Sequence, residues 1–203
     1  MSISSLTVVA QNITIVYEAL RLKELDHAQL KQLCPEEAIL IDVPDRLVAV
    51  WPNSSLVVEF GDERVRVTLP ERNNTIGSVP LWQIATDCHR LGGPVRVKAY
   101  GFNYDLEVAT EEDVKTLIRE KFKASWPELE RVTGAHLLSV APRPQLQHER
   151  ALYDLALVPV EDRRLQVHLN AHFDEVAIPP VQQLESAYRA EFDYLISVLP
   201  GLF

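Results

Sequence analysis

Apolar and polar positions alternate through most of the first half of the chain, and a period of two predicts strands. Leu6 to Leu20 is rich in β-branched residues (Thr7, Val8, Val9, Ile13, Thr14, Ile15, Val16) and reads as one long strand or two short ones broken near Gln11 and Asn12. Between Glu24 and Leu33 the spacing lengthens to Leu25, Leu30 and Leu33 among charged residues. That spacing predicts a short amphipathic helix, stopped by Pro35. From Ile39 to Leu69 the punctuation is that of a meander. Arg46–Trp51, Leu56–Phe60 and Arg64–Leu69 are separated by Pro52-Asn53-Ser54-Ser55 and Gly61-Asp62, tight turns that favour antiparallel pairing. Residues 70–77 form a polar loop. Val79–Leu91 then shows helical spacing in Leu81, Ile84, Ala85 and Cys88, closed by Gly92-Gly93-Pro94.

The strand that follows, Val95–Val108, contains a change of phase. Val95, Val97 and Ala99 share one parity, whereas Phe102, Tyr104, Leu106 and Val108 share the other, which predicts a bulge at Gly101. Thr110-Glu111-Glu112-Asp113 has the hydroxyl cap and acidic first turn of a helix. Its buried stripe would be Val114, Leu117, Ile118, Phe122 and Trp126, with Pro127 ending or kinking it. Residues 135–141 predict a strand, and Pro142-Arg143-Pro144 an irregular loop. Leu152–Val160 and Leu165–Phe173 predict a hairpin. The last helix starts beside Pro180, with Val181, Leu184, Tyr188, Phe192, Leu195 and Leu199 on one stripe.

Hairpins outnumber possible βαβ crossovers, so the expected class is α+β. It has mainly antiparallel sheet with meander hairpins, packed by about four helices of which two are long and amphipathic. The chain of 203 residues reads as a single domain over 1–203, or as two subdomains over 1–93 and 94–203.

Composition narrows the partners. A hydrophobic share of 47% with 24% charged residues is ordinary for a folded protein. The formal charge of −9 is uneven: ten Lys/Arg face twelve Asp/Glu in residues 1–100, and ten face seventeen in 101–203. An acidic chain without a basic cluster repels phosphate backbones and anionic lipid, so neither nucleic acid nor membrane is an expected partner. No apolar run has transmembrane length, the first residues lack a signal pattern, and the cysteines are only Cys34 and Cys88. A cytoplasmic location is the default expectation.

Short catalytic signatures are missing: there is no phosphate loop, dinucleotide-binding glycine pattern, nucleophile elbow or zinc-ligand spacing. His168 and His172, with Asp174, would suit a metal only on a helix. On the predicted strand the two histidines stand about 13 Å apart, too far to share one ion, so no metal or cofactor is expected. Asp87-Cys88-His89 offers a thiol beside a base, but neighbouring helical residues point about 100° apart, and Cys88 belongs to the apolar stripe. The aromatic segment Tyr100, Phe102, Asn103 and Tyr104 either fills the core or lines a pocket or partner surface. Helix capping accounts for Glu111, Glu112 and Asp113. Trp51, Trp82 and Trp126 read as core. Arg64, Arg66, Arg96 and Lys98 would form a basic stripe if their strands were neighbours.

The run Val97-Lys98-Ala99-Tyr100-Gly101-Phe102-Asn103-Tyr104, preceded by an amphipathic helix, resembles the Gly-x-x-Tyr strand of sporadically distributed bacterial proteins of unknown function. So does the later order of a strand with Asp154, a second strand and a helix with Phe192, the likeness spanning roughly residues 80–200. The resemblance implies no catalytic residue and points to a prokaryotic, partner-binding protein. With catalytic motifs missing, a β-rich chain with edges to cover and a strongly amphipathic terminal helix, the leading expectation is a non-catalytic interaction or scaffold module that forms a homodimer. The alternative is a small-ligand-binding protein or enzyme with its site near Tyr100–Tyr104 and His168 or His172.

Overall fold

The computed structural model describes residues 2–70, 72, 76–122, 126–136 and 138–202. A long strand β1 (Ile3–Tyr17) leads to a short helix α1 (His27–Lys31). The meander β2 (Ile39–Val43), β3 (Arg46–Trp51), β4 (Leu56–Gly61) and β5 (Arg64–Leu69) follows, and α2 (Leu81–Leu91) closes it. The second half restates the plan with a different middle. β6 (Val97–Thr110) precedes α3 (Val114–Lys121) and α4 (Trp126–Thr133); β7 (Gln145–His148), β8 (Ala151–Glu161), β9 (Arg164–Phe173) and α5 (Val181–Val198) complete it.

The nine strands of the described residues form one antiparallel sheet, in the order β2-β3-β4-β5-β1-β6-β9-β8-β7. Each half returns its last strand to its first, and the two first strands, β1 and β6, pair at the centre. The α+β class with an antiparallel sheet is as the alternation predicts. β2 is a strand of its own, and the described residues hold five α-helices.

Three local expectations are corrected. The central pair shifts register at three places, and the shift on the β6 side falls at Lys98 and not Gly101: Tyr17 lies opposite Val97 and Val16 opposite Ala99, while Tyr100 to Ala109 pair with β9 without a shift. The phase of the apolar pattern changes at that skipped residue. Gly101 has another reason to be glycine, since a Cβ there would stand 3.0 Å from the Ala171 carbonyl oxygen. The helix expected from Thr110 to Trp126 is two helices. Thr110 is held in the sheet by its N–H to the Arg163 carbonyl, and the Asp113 carboxylate takes over capping by accepting the Thr116 N–H at 2.6 Å. The strand expected over 135–141 is displaced to β7; Leu137 lies outside the described residues.

α2 packs on β1, β5 and α5, and α5 packs on β6, so both helices cover one face. Their stripes bury Leu81, Ile84, Ala85 and Cys88 from α2 and Leu184, Tyr188, Phe192 and Leu195 from α5, with Leu199 just beyond it. Each large apolar side chain contributes about 1.5–3 kcal/mol. A buried polar chain ties the layers together: the Tyr104 hydroxyl donates to the Tyr188 carbonyl at 2.5 Å, and the Tyr188 hydroxyl donates to Gln11 Oε1 at 2.5 Å. It spans both halves, since Gln11 belongs to β1 and Tyr188 to α5.

Candidate functional site

The sheet divides the predicted site residues between its two faces. Tyr100, Phe102 and Tyr104 point toward α5. Phe102 meets Tyr188 edge-on at 5.4 Å between ring centroids, and Tyr104 lies 5.2 Å from Tyr188 and 5.5 Å from Phe192. Phe102 and Tyr104 are fully buried and act as core. Asn103, His168 and His172 stand on the opposite face. Asn103 faces Asn12 on one side and Asn170 on the other, and its Nδ2 donates to Asn12 Oδ1 at 2.8 Å. Register extends this row across the sheet as Thr68, Asn12, Asn103, Asn170, Asp154 and Gln145.

The two histidines take separate partners. His168 Nδ1 bonds Asp105 Oδ1 at 2.6 Å, and His172 Nε2 bonds Asp174 Oδ1 at 2.8 Å. Among the described residues no three His, Cys, Asp or Glu side chains are grouped to hold a metal. The expected basic stripe does not form, because β1 separates β5 from β6. Arg66 instead donates to Thr14 Oγ1 at 3.4 Å, and Arg96 pairs with Glu18 at 3.1 Å. Cys88 is buried, and burial pushes its thiol well above the usual range. Its neighbour His89 turns away to the Tyr17 hydroxyl, 3.2 Å from Nδ1. Trp51 and Trp82 are core; the Trp126 side chain lies outside what is described.

Two features went unmarked by any sequence motif. One is a cleft of about 650 Å³ between the first part of α5, the turn joining β7 to β8, and the segment before α5. Its rings are Tyr100, Tyr153, Phe173, Tyr194 and His148. Tyr100 stacks on Phe173 at 4.9 Å, and His148 lies flat on Tyr194 at 4.9 Å. Glu191 reaches in from α5 and accepts a hydrogen bond from the Tyr153 hydroxyl at 2.7 Å. Burial holds the Glu191 carboxyl above its ordinary range, with the Tyr153 bond pulling the other way. Burial also pushes the Tyr100 hydroxyl up to about 12.

The other is the edge of the sheet at β2. Ile39, Ile41 and Val43 are 55%, 51% and 43% exposed, and among the described residues no strand covers the outer side of β2. Register sets Ile39 beside Val50 and Ile41 beside Val48, with Val57 next to Val50, so an aliphatic surface runs inward from the edge. The approach to β2 is fixed by Glu36, whose carboxylate accepts the backbone N–H groups of Asn53 and Ser54 at 2.9 Å each. A spacing rule could have found this edge: Ile39, Ile41 and Val43 alternate, yet no element in the sequence pattern was left to cover them.

Among the described residues no helix is long and apolar enough to cross a membrane. No protein-family model and no curated protein matches the chain. Among solved structures it is similar to Methanococcus jannaschii TBP, with 9% identity over 96% of this chain and 98% of that one, at a TM-score of 0.38, a likeness too loose to carry an argument.

Proposed function

We propose that this protein is a non-catalytic partner-binding module that self-associates through the β2 edge of its sheet. The observation that carries the reading is the row Ile39, Ile41 and Val43, aliphatic, exposed and set on a strand with an open side. An unpaired edge presents a ready template for a further strand, and soluble proteins ordinarily blunt such edges with lysine, proline or a bulge. β2 carries none of these; its one charge is Asp42, beside His27 at 3.9 Å.

A second copy is the occupant that fits this edge best. A twofold antiparallel pairing centred on Ile41 sets Ile39 against the partner's Val43 and Ile41 against the partner's Ile41. Asp42 then meets the partner's Leu40 and avoids a carboxylate. The contact is small, in the weak class below about 1,200 Å², so the dimer is concentration-dependent. The charge of −9 per chain opposes it, and added salt strengthens it. Two unbonded cysteines suit a reducing, cytoplasmic setting.

Native mass spectrometry with light scattering over a concentration series tests the reading. A dimer that Ile41→Lys converts to monomer, with unchanged circular dichroism, is the expected result. A monomer at every concentration, or a dimer indifferent to Ile41→Lys, overturns it.

A further inference from the structure

The cleft beside α5 contains a carboxylate with no lysine or arginine against it among the described residues; the one titratable base acting on it is the His148 imidazole, which lies flat on Tyr194. Glu191 is half-buried, and among the described residues no lysine or arginine nitrogen lies within ion-pairing distance of it. Arg150 is the one guanidinium lining the cleft, and it is taken by Glu175 at 3.3 Å. Glu149, at the β7–β8 turn with φ 51°, adds a second carboxylate to the same lining. The surrounding walls are aromatic and already fixed against one another: Tyr153 leans on Tyr194 at 5.3 Å, and Tyr194 carries His148 on its face.

A carboxylate drawn partly out of water is stabilised by a cation brought to it, and aromatic faces attract the same charge. An anion would meet Glu149, Glu175 and Glu191. A neutral apolar ligand would leave Glu191 without a counter-charge. The volume of about 650 Å³ lies in the range of small-molecule sites.

We infer that this cleft binds an organic cation, an alkylammonium or guanidinium group, with Glu191 as its counter-ion and Tyr153 and Tyr194 as its walls. Tyr153 acts as a positioning residue, its hydroxyl holding the Glu191 carboxylate toward the opening. The cation has two chemical sources: a free amine, or the side chain of a lysine or arginine on a peptide. The site is independent of the β2 edge, which lies at the other end of the sheet.

Calorimetry on the full chain uses spermidine as the free amine and a capped Gly-Arg-Gly peptide as the side-chain probe, with glutarate as the charge-reversed control. At least one cation should bind saturably and glutarate should not; the tighter of the two identifies the source. Glu191→Gln keeps an acceptor for the Tyr153 hydroxyl and should weaken binding at least tenfold. Backbone amide shifts on the unmodified protein serve as a second readout, and cation-induced changes should centre on residues 148–153 and 187–194. Ile41→Lys should bind as the parent does, so loss of dimerisation and loss of cation binding are separable. No saturable binding by either cation, equal binding by Glu191→Gln, or shifts centred elsewhere overturns the inference.

Discussion

The two outer edges of the sheet are built on opposite terms. At β2 the exposed positions are Ile39, Ile41 and Val43, and no proline interrupts the strand. At β7 the strand is Gln145-Leu146-Gln147-His148, with Pro142 and Pro144 just before it. Those prolines accept the Leu157 and Leu155 N–H groups with their carbonyls, which ties the approach to β7 onto β8. Between them Arg143 grips Asp154 with two hydrogen bonds, at 2.8 and 2.5 Å, which fixes this border onto β8. The guarded edge turns directly into the cleft through His148, Glu149 and Arg150. One border is short, mostly polar and pinned to β8, and it walls a cavity; the other is aliphatic and exposed. The contrast teaches that edge protection was available to this sequence and was not applied at β2.

The largest effect should come from breaking the open edge. Ile41→Lys places a charge where two aliphatic rows meet, and should weaken self-association on the order of a hundredfold, about 2.8 kcal/mol, in light scattering. The seam between the halves ranks next. Tyr188→Phe removes the donor to Gln11 Oε1, leaving a buried acceptor unpaired beside Gln11 Nε2, which already lacks a partner among the described residues. Urea unfolding should show a loss of about 1–2 kcal/mol, with both halves melting in one transition.

A smaller and pH-dependent effect belongs to the cleft. The Glu191 carboxyl is raised in the folded state, so the native protein holds that proton more tightly and stability falls as pH rises through the raised range. Glu191→Gln should therefore melt higher than the parent at neutral pH, and the difference should close as pH drops below the ordinary carboxylate range of about 4. The smallest expected effect sharpens the comparison from the other side. Leu146→Lys, on the guarded edge, should leave the dimer fraction unchanged in the same scattering series, and a large loss there would show that β7 is the edge in use.

Period-two alternation located the meander and the 151–173 hairpin closely, because turn residues and side-chain parity are local properties. Parity also separates Tyr100, Phe102 and Tyr104 from Asn103, and it is the reason one contiguous aromatic segment does not make one site. Where two residues compete for a cap, as Thr110 and Asp113 do, the winner depended on Arg163, a residue brought in by the β8–β9 hairpin. Of the candidate site, Tyr100 at the rim of the cleft was legible. Glu191, Tyr153 and Tyr194 were not, since none carries a motif and each gains meaning only from what stands next to it; the alternation of Ile39, Ile41 and Val43 was legible, but not its place at the end of the sheet.

The sequence by itself determined which residues alternate, where the chain turns, which helical stripes are apolar, and that the chain is acidic; these follow from covalent spacing and side-chain chemistry. The tertiary structure alone decided that β1 and β6 meet at the centre, that β2 ends a sheet, and that Glu191 faces the Tyr153 hydroxyl with no lysine or arginine against it among the described residues. Pairing partners and burial depend on contacts between residues far apart along the chain, and no local period encodes them.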